Sequence, residues 1–408
     1  MNSLDPTGAL AGLRVLDATQ MLAGPMAGTR LGDLGADVIK VEPPIGEFNR
    51  THGFEDITVG GDMSTFLAIN RNKRSLCVDL KSPAGRRAFH DAACGSDVVI
   101  QNFRRSAAQR LGLDYASLAA VNPRIIVCVI SGYGDTGPYR DRPGQDLVVQ
   151  GYSGSMFAVG KEGDPPSPSA LWAADAMTGY QAVIGVLAAV EARHRTGSGQ
   201  LVEVDMLSAV LDCQLQELVT YLNTGWKPRR TAERSAHGAI PAPYGVYPTR
   251  DGWLTLAMCP LPALGEALDD EWLRSLTHYN DGHRHRDEVY RRLAKAFVDR
   301  DTKDWIDLLD RHGVWCGPVY DYDDLAADPH VLATGTFVDQ PHPELGTVRT
   351  LRPPLQLSAT PVSVHRGAPR LGADTRDVLT AVAGYDAERI DALVSSGAVV
   401  DASAVTTA

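Results

Sequence analysis

Leu13-Arg14-Val15-Leu16-Asp17, Gln20-Met21-Leu22-Ala23-Gly24-Pro25-Met26-Ala27-Gly28 and Asp37-Val38-Ile39-Lys40-Val41-Glu42 follow one another at the start of the chain. Two short apolar runs flank a glycine-containing link and a stretch of helical spacing, Met26 to Leu34. Strand, helix and strand within roughly thirty residues make a crossover unit, which requires a parallel sheet. The runs are rich in Val and Ile and do not alternate with polar residues, so these strands are expected to be buried on both faces.

The pattern repeats outward. Ser75–Leu80, Asp97–Gln101 and Ile125–Ser131 read as strands, and Pro83–Cys94 and Leu111–Ala120 as helices. Tyr180 to Arg195 reads as a long buried helix that stops at Gly197, followed by a strand, Leu201–Asp205. The stretch from Asn223 to Arg250 is dense in Pro, Arg and Gly and reads as a boundary. Beyond it come a strand at Trp253–Met258, helices at Arg286–Asp299 and Trp305–Arg311, an extended run at Thr347–Leu351, and helices at Ala373–Val382 and Ala387–Ser396. The tail Val399–Ala408 is small and polar and is expected to be loose.

Composition bounds the function. The 408 residues are 44% hydrophobic and 22% charged, which excludes disorder over most of the chain. The net charge, 39 − 50 = −11, is not that of a nucleic-acid binder. The longest strongly apolar run, Ala182–Val190, is far short of the roughly 20 residues that span a bilayer, so no membrane is expected. Met1–Leu10 does not read as a signal peptide. Cys77, Cys94, Cys128, Cys213, Cys259 and Cys316 are scattered and read as reduced thiols, so a cytoplasmic compartment is expected.

Three features point to chemistry. A loop such as residues 20–28, between strand and helix, is where parallel sheets bind ligands, with an anion favoured at the helix N-terminus. It lacks Gly-x-Gly-x-x-Gly, so a nicotinamide-dependent dehydrogenase is disfavoured, and a plain tight turn is the competing reading. Asn70-Arg71-Asn72-Lys73-Arg74, Asn102-Phe103-Arg104-Arg105 and Arg110 are the densest basic stretches in an acidic chain. Arginine forks suit phosphate and Phe103 suits an adenine face, although a charge run is more often a solvated surface. Asp175 lies in or just before the first turn of the long helix, where the helix dipole and free N–H groups favour its ionised form. That suits a nucleophile; a simple N-cap is the competing reading. His283 and His285 have no third ligand nearby in sequence, and no metal site is expected.

At these residues the chain resembles the family III CoA-transferases. The resemblance rests on Leu13–Asp17 with Ala23-Gly24-Pro25, Leu34-Gly35-Ala36-Asp37-Val38-Ile39-Lys40-Val41-Glu42, Asn72-Lys73-Arg74-Ser75, Asn102-Phe103, Ser131-Gly132-Tyr133-Gly134 and Thr136-Gly137-Pro138-Tyr139. Asp175 with Gly179, Arg195-Thr196-Gly197 with Gly199-Gln200, and Cys316-Gly317-Pro318-Val319 complete it. The motifs run collinearly over nearly the whole chain.

The resemblance implies an α/β fold: a Rossmann-like parallel-sheet large domain built from both chain ends, with a smaller inserted α+β domain. Residues 1–224 and 326–408 would form the large domain and 225–325 the small one. An interlocked homodimer is implied as well. The activity implied is transfer of CoA from an acyl-CoA to a carboxylic acid, with Asp175 as nucleophile and no tightly bound cofactor. The CoA contacts implied are Met21, Leu22, Ala23, Val78, Asn102, Phe103, Arg110 and Met206, with Gln145 grouped beside them. Lys73, Arg74 and Arg104 are added on electrostatic grounds. Where formyl-CoA transferase has glutamine and arginine, this chain has Leu22 and Pro43, and no glycine-rich lid is evident between residues 223 and 260. Formate and oxalate are therefore not the expected substrates.

Two alternatives stand beside this. The same fold hosts α-methylacyl-CoA racemases, which pair the aspartate with a histidine in Gly-His-Asp. Here the motif is Gly144-Gln145-Asp146, and glutamine cannot accept the α proton. A non-catalytic CoA-binding subunit is the other; the retained Asp175 and Asn102-Phe103 argue against it. Trp172, Tyr152, Met156 and Phe157 are candidates for an acyl pocket, with packing as the rival role.

Overall fold

Strand β1 (Arg14–Ala18), helix α1 (Ala23–Asp33) and strand β2 (Asp37–Glu42) fold as the opening pattern requires, in a computed structural model that describes residues 8–59, 61–342 and 346–402. β1 and β2 pair in parallel, with Asp17 beside Lys40. β3 (Lys73–Val78), β4 (Val98–Gln101), β5 (Ile126–Ser131) and β6 (Leu201–Asp205) extend the sheet in parallel. The seventh strand, β7 (Val399–Val400), pairs antiparallel with β3, so the start of the tail is ordered, contrary to expectation. The order is β7-β3-β2-β1-β4-β5-β6. The chain direction across the sheet reverses between β1 and β4, and that switch opens a crevice at the carboxyl ends of those strands.

Apolar residues on the two sheet faces feed two cores. Val15, Val38, Val98 and Ile126 pack with α1 and with the long helix α4 (Ala173–Thr196). Leu16, Ile39, Leu76 and Val99 pack with α2 (Pro83–Cys94) and the C-terminal helices. By length and composition α4 resembles a membrane span, but its Ala182, Val183, Val186 and Ala189 are buried against the sheet. It begins at Ala173, two turns before the expected start. The helix expected over Leu111–Ala120 is two helices, Arg105–Leu111 and Tyr115–Val121. Gly112, at φ 74°, ends the first, and Asp114 accepts from the Ser117 N–H to start the second.

The chain divides into two units. The first comprises the sheet residues and the C-terminal segment; the second comprises 150–171 and 211–332. The second unit has its own core, including Tyr247, Leu254, Leu293, Phe297 and Trp305, beside a three-stranded antiparallel sheet. It begins earlier than residue 225 and also takes in 150–171. Hydrogen bonds explain this: Arg230 donates to the Met156 and Asp164 carbonyls, and Gln214 to that of Ser153.

Candidate active site

Asp175 is the third residue of α4, and its place depends on another helix. The N-cap of α4 is Trp172, whose side chain offers no cap. Asp146, the first residue of α3 (Asp146–Ser153), supplies it instead. Its Oδ1 accepts from the N–H groups of Ala174 (2.8 Å) and Asp175 (3.1 Å). Below this turn Val149, Ala174, Met206 and Val210 form a small apolar floor.

This arrangement corrects the expectation that helix N–H groups would favour ionised Asp175. Asp146 has taken two of them. Burial, then the Asp146 charge, push the Asp175 carboxyl up to about 6, and a backbone hydrogen bond from Ala23 opposes them. The product is a carboxylate still ionised at neutral pH, yet more basic and less solvated than an ordinary aspartate. Both properties favour nucleophilic attack.

The Ala23 N–H belongs to the N-terminus of α1, which no side chain caps. α1 and α4 approach closely because residue 179 is glycine: a Cβ there would lie 2.9 Å from the Ala23 carbonyl. The loop before α1 is pinned at several points. Asn102 donates to the Gln20 carbonyl (2.8 Å) and accepts from its N–H (3.1 Å), across the β1–β4 switch. Asn49 donates to the Met21 carbonyl at 2.6 Å. Met21 itself has φ 69°, a strained left-handed backbone for a side-chain-bearing residue, of the kind that clusters at functional sites. Phe54 and Trp172 stack nearby, ring centroids 6.4 Å apart and 6° from parallel.

The expected residues therefore divide. Met21, Leu22 and Ala23 lie together at the turn into α1, and Asn102 meets that turn from the end of β4, whereas Phe103 packs, partly buried, against the core on the α2 side. Arg104 and Arg110 are exposed and form no ion pair among the described residues, so they are open to a phosphate. Lys73 and Arg74 are not: both are buried cations of β3, Lys73 paired with Asp17 at 2.8 Å and Arg74 with Asp37 at 2.7 Å. A buried, paired cation cannot reach a ligand, and we assign both to the fold. The side chains of Val78 and Met206 are likewise buried in apolar clusters. Gln145 is exposed just before α3, its carbonyl accepting from Val149. Tyr152, Met156 and Phe157 lie in the second unit, where the Arg230 guanidinium covers the Phe157 ring at 5.3 Å. Sequence reasoning missed Asn49, which carries no motif signal, and the capping role of Asp146. Among the described residues no group of three or more His, Cys, Asp or Glu is placed to hold a metal.

The sequence profile described as CoA-transferase family III matches residues 10–375. A succinyl-CoA:glutarate CoA-transferase of Mus musculus is 33% identical over 408 aligned positions, covering 97% of this chain and 91% of that protein. A succinate–glutarate CoA-transferase of Agrobacterium fabrum is 35% identical over 384 positions, covering 91% and 94%. Among solved structures, a CaiB/BaiF family protein from Brucella suis superposes with TM-score 0.81 at 32% identity, covering 91% of this chain and 98% of that one.

Proposed function

The chain belongs to CoA-transferase family III, and from that premise we propose that it moves CoA between carboxylic acids through covalent intermediates on Asp175. The observation that carries this reading is the poorly solvated Asp175 carboxylate at the head of α4, facing the uncapped start of α1.

An Asp175 oxygen attacks the thioester carbonyl of the donor acyl-CoA. The tetrahedral oxyanion collapses, the C–S bond breaks, and CoA thiolate leaves behind a mixed anhydride. The thiolate attacks the aspartyl carbonyl of that anhydride, forming an aspartyl-CoA thioester and releasing the donor carboxylate. The acceptor carboxylate attacks the aspartyl thioester, giving a new anhydride and thiolate. The thiolate then attacks the acceptor acyl carbonyl, which frees acyl-CoA and regenerates Asp175. The overall exchange replaces one thioester and one carboxylate by another such pair at nearly equal energy, and the covalent intermediates divide it into four easier steps. The Gly24 N–H, in the first turn of α1, is suited to the oxyanions.

Met21, Leu22, Ala23, Asn102 and Phe103 line the CoA side in this reading, with Arg104 and Arg110 for its phosphates. Similarity to enzymes named for succinate and glutarate points to dicarboxylic acids as substrates. A homodimer, interlocked as the resemblance implies, fits the apolar residues left open within each unit: Tyr180 and Ile184 on α4 in the first, and Leu215, Val219 and Leu222 in the second, on the helix Leu215–Thr224, none of whose residues is buried.

The test is incubation in heavy water with succinyl-CoA and a panel of carboxylic acids, for wild type and Asp175→Ala. New CoA thioesters of the added acids, absent with the variant, are expected. An unchanged acyl group carrying one α-deuterium contradicts the transferase reading in favour of racemisation.

A further inference from the structure

Three charged residues beneath α1 have no place in the chemistry above. Asp17 of β1, Lys40 of β2 and Lys73 of β3 are all fully buried. Lone buried charges are costly, and an apolar trio of similar volume often stabilises a fold at least as well. Their hydrogen bonds, however, converge on one short segment. Lys40 Nζ donates to the Thr19 carbonyl (2.6 Å) and to Glu47 Oε2 (2.9 Å). Asp17 Oδ1 accepts from the Thr19 N–H (3.1 Å) and from its hydroxyl. Lys73 Nζ donates to Asp17 Oδ2, the Pro25 carbonyl and Asn70 Oδ1, each at 2.8 Å, and to the Ile69 carbonyl at 3.1 Å. Thr19 and Pro25 bracket Ala23, whose carbonyl packs against Gly179, one turn along α4 from Asp175.

We propose that Asp17, Lys40 and Lys73 are positioning residues, which clamp the segment 19–25 at both ends and so fix the start of α1 against α4, the helix that carries the nucleophile. This rests on the assignment of Asp175 as nucleophile. Gly28 is the second half of the device. A Cβ there would lie 2.6 Å from Asp17 Oδ2 and 3.3 Å from Lys73 Cε, so α1 settles on the cluster only with glycine at that position. Lys40 also reaches Glu47, at the base of the segment carrying Asn49, which holds the Met21 carbonyl.

The test uses Lys73→Met, Lys40→Met and Gly28→Ala, with Asp37→Asn as control. Asp37 is a buried partner of Arg14 and Arg74 in the same sheet and touches no part of the segment. Gly28→Ala keeps every charge, and it decides the matter if a lysine variant does not fold. The first readout is the titration of the Asp175 carboxyl by carbon-13 NMR in substrate-free protein. A displaced start of α1 weakens the influence of Ala23 that lowers this carboxyl, so its midpoint moves up from the wild-type value in the three test variants and stays in place in Asp37→Asn. The second readout is kinetic: kcat falls about 100-fold with the KM for acyl-CoA little changed, as expected when a reacting group is misplaced by about 1 Å. An Asp175 midpoint unmoved in the variants that fold, or a kcat loss matched by the control, overturns the proposal. The NMR readout needs no turnover, so it still decides this point if the wild-type protein transfers no CoA.

Discussion

The carboxyl of Asp175 is pushed up to about 6, first by burial and then by the neighbouring Asp146 charge, so acid neutralises the proposed nucleophile just below neutral pH. The rate of CoA transfer is expected to fall tenfold per pH unit below about 6, measured as a kcat/KM profile. The sign for stability is opposite. The folded state holds the Asp175 proton more tightly than the unfolded chain, so ionising this group costs stability as pH rises through the interval between the two values. Asp175→Ala is therefore expected to unfold at a higher temperature than wild type at pH 8, by the order of 1–3 kcal/mol, with the gain gone by about pH 4. Asp146 separates two effects. Asp146→Asn keeps an oxygen to cap α4 but removes the charge, so the acid limb of the rate profile moves down. Asp146→Ala loses the cap too and costs about 1 kcal/mol more in thermal unfolding. Asp175 was legible as a candidate through the family resemblance, because a carboxylate at a helix head reads by itself equally as an N-cap. Its elevated pKa was not, because both causes, burial first and then the Asp146 charge from another helix, arise only in the folded chain. Lys73 and Arg74 misled for a related reason: a basic run reads as surface, and only sheet order reveals that β3 is buried on both faces.

At the scale of elements, the loop after β1 and the segment 43–57 meet through Asn49 and Met21, and Phe54 of that segment stacks on Trp172 at the head of α4. Both rings are about half exposed. An exposed stacked pair beside a nucleophile is suited to contact the acyl group. Phe54→Ala and Trp172→Ala are expected to change the ratio of kcat/KM between short and long acyl-CoAs by about tenfold, the effect of one or two methylenes in a pocket. An unchanged ratio assigns the pair to packing. The strand–helix–strand start and the long helix were readable from periodicity alone. The true start of α4 was not, since Trp172 is a poor N-cap and its substitute is distant in sequence. The break at Gly112 was present in the sequence as a glycine followed by Asp114, a stop and a start that apolar spacing had bridged.

The whole chain leaves Leu215, Val219 and Leu222 facing solvent at helical spacing, with Leu222 75% exposed. A monomer seldom carries such a stripe uncovered. Leu215→Glu with Leu222→Glu is expected to convert a dimer to a monomer in light scattering, whereas a wild-type monomer contradicts the assembly. The Pro- and Gly-rich stretch after residue 223 marks a boundary by composition, whereas the two units of the structure divide at 150, 172, 211 and 333. Those divisions were not legible, because residues 150–171 join the insert through backbone carbonyls that accept from Arg230, and carbonyls carry no sequence signal.

The covalent role of Asp175 is tested most directly by mixing the protein with acyl-CoA, trapping with hydroxylamine, and mapping the peptides by mass. The account predicts a hydroxamate on Asp175, formed only when acyl-CoA is present. CoA exchange that proceeds with Asp175 unmodified, or a trapped adduct on another residue, contradicts it.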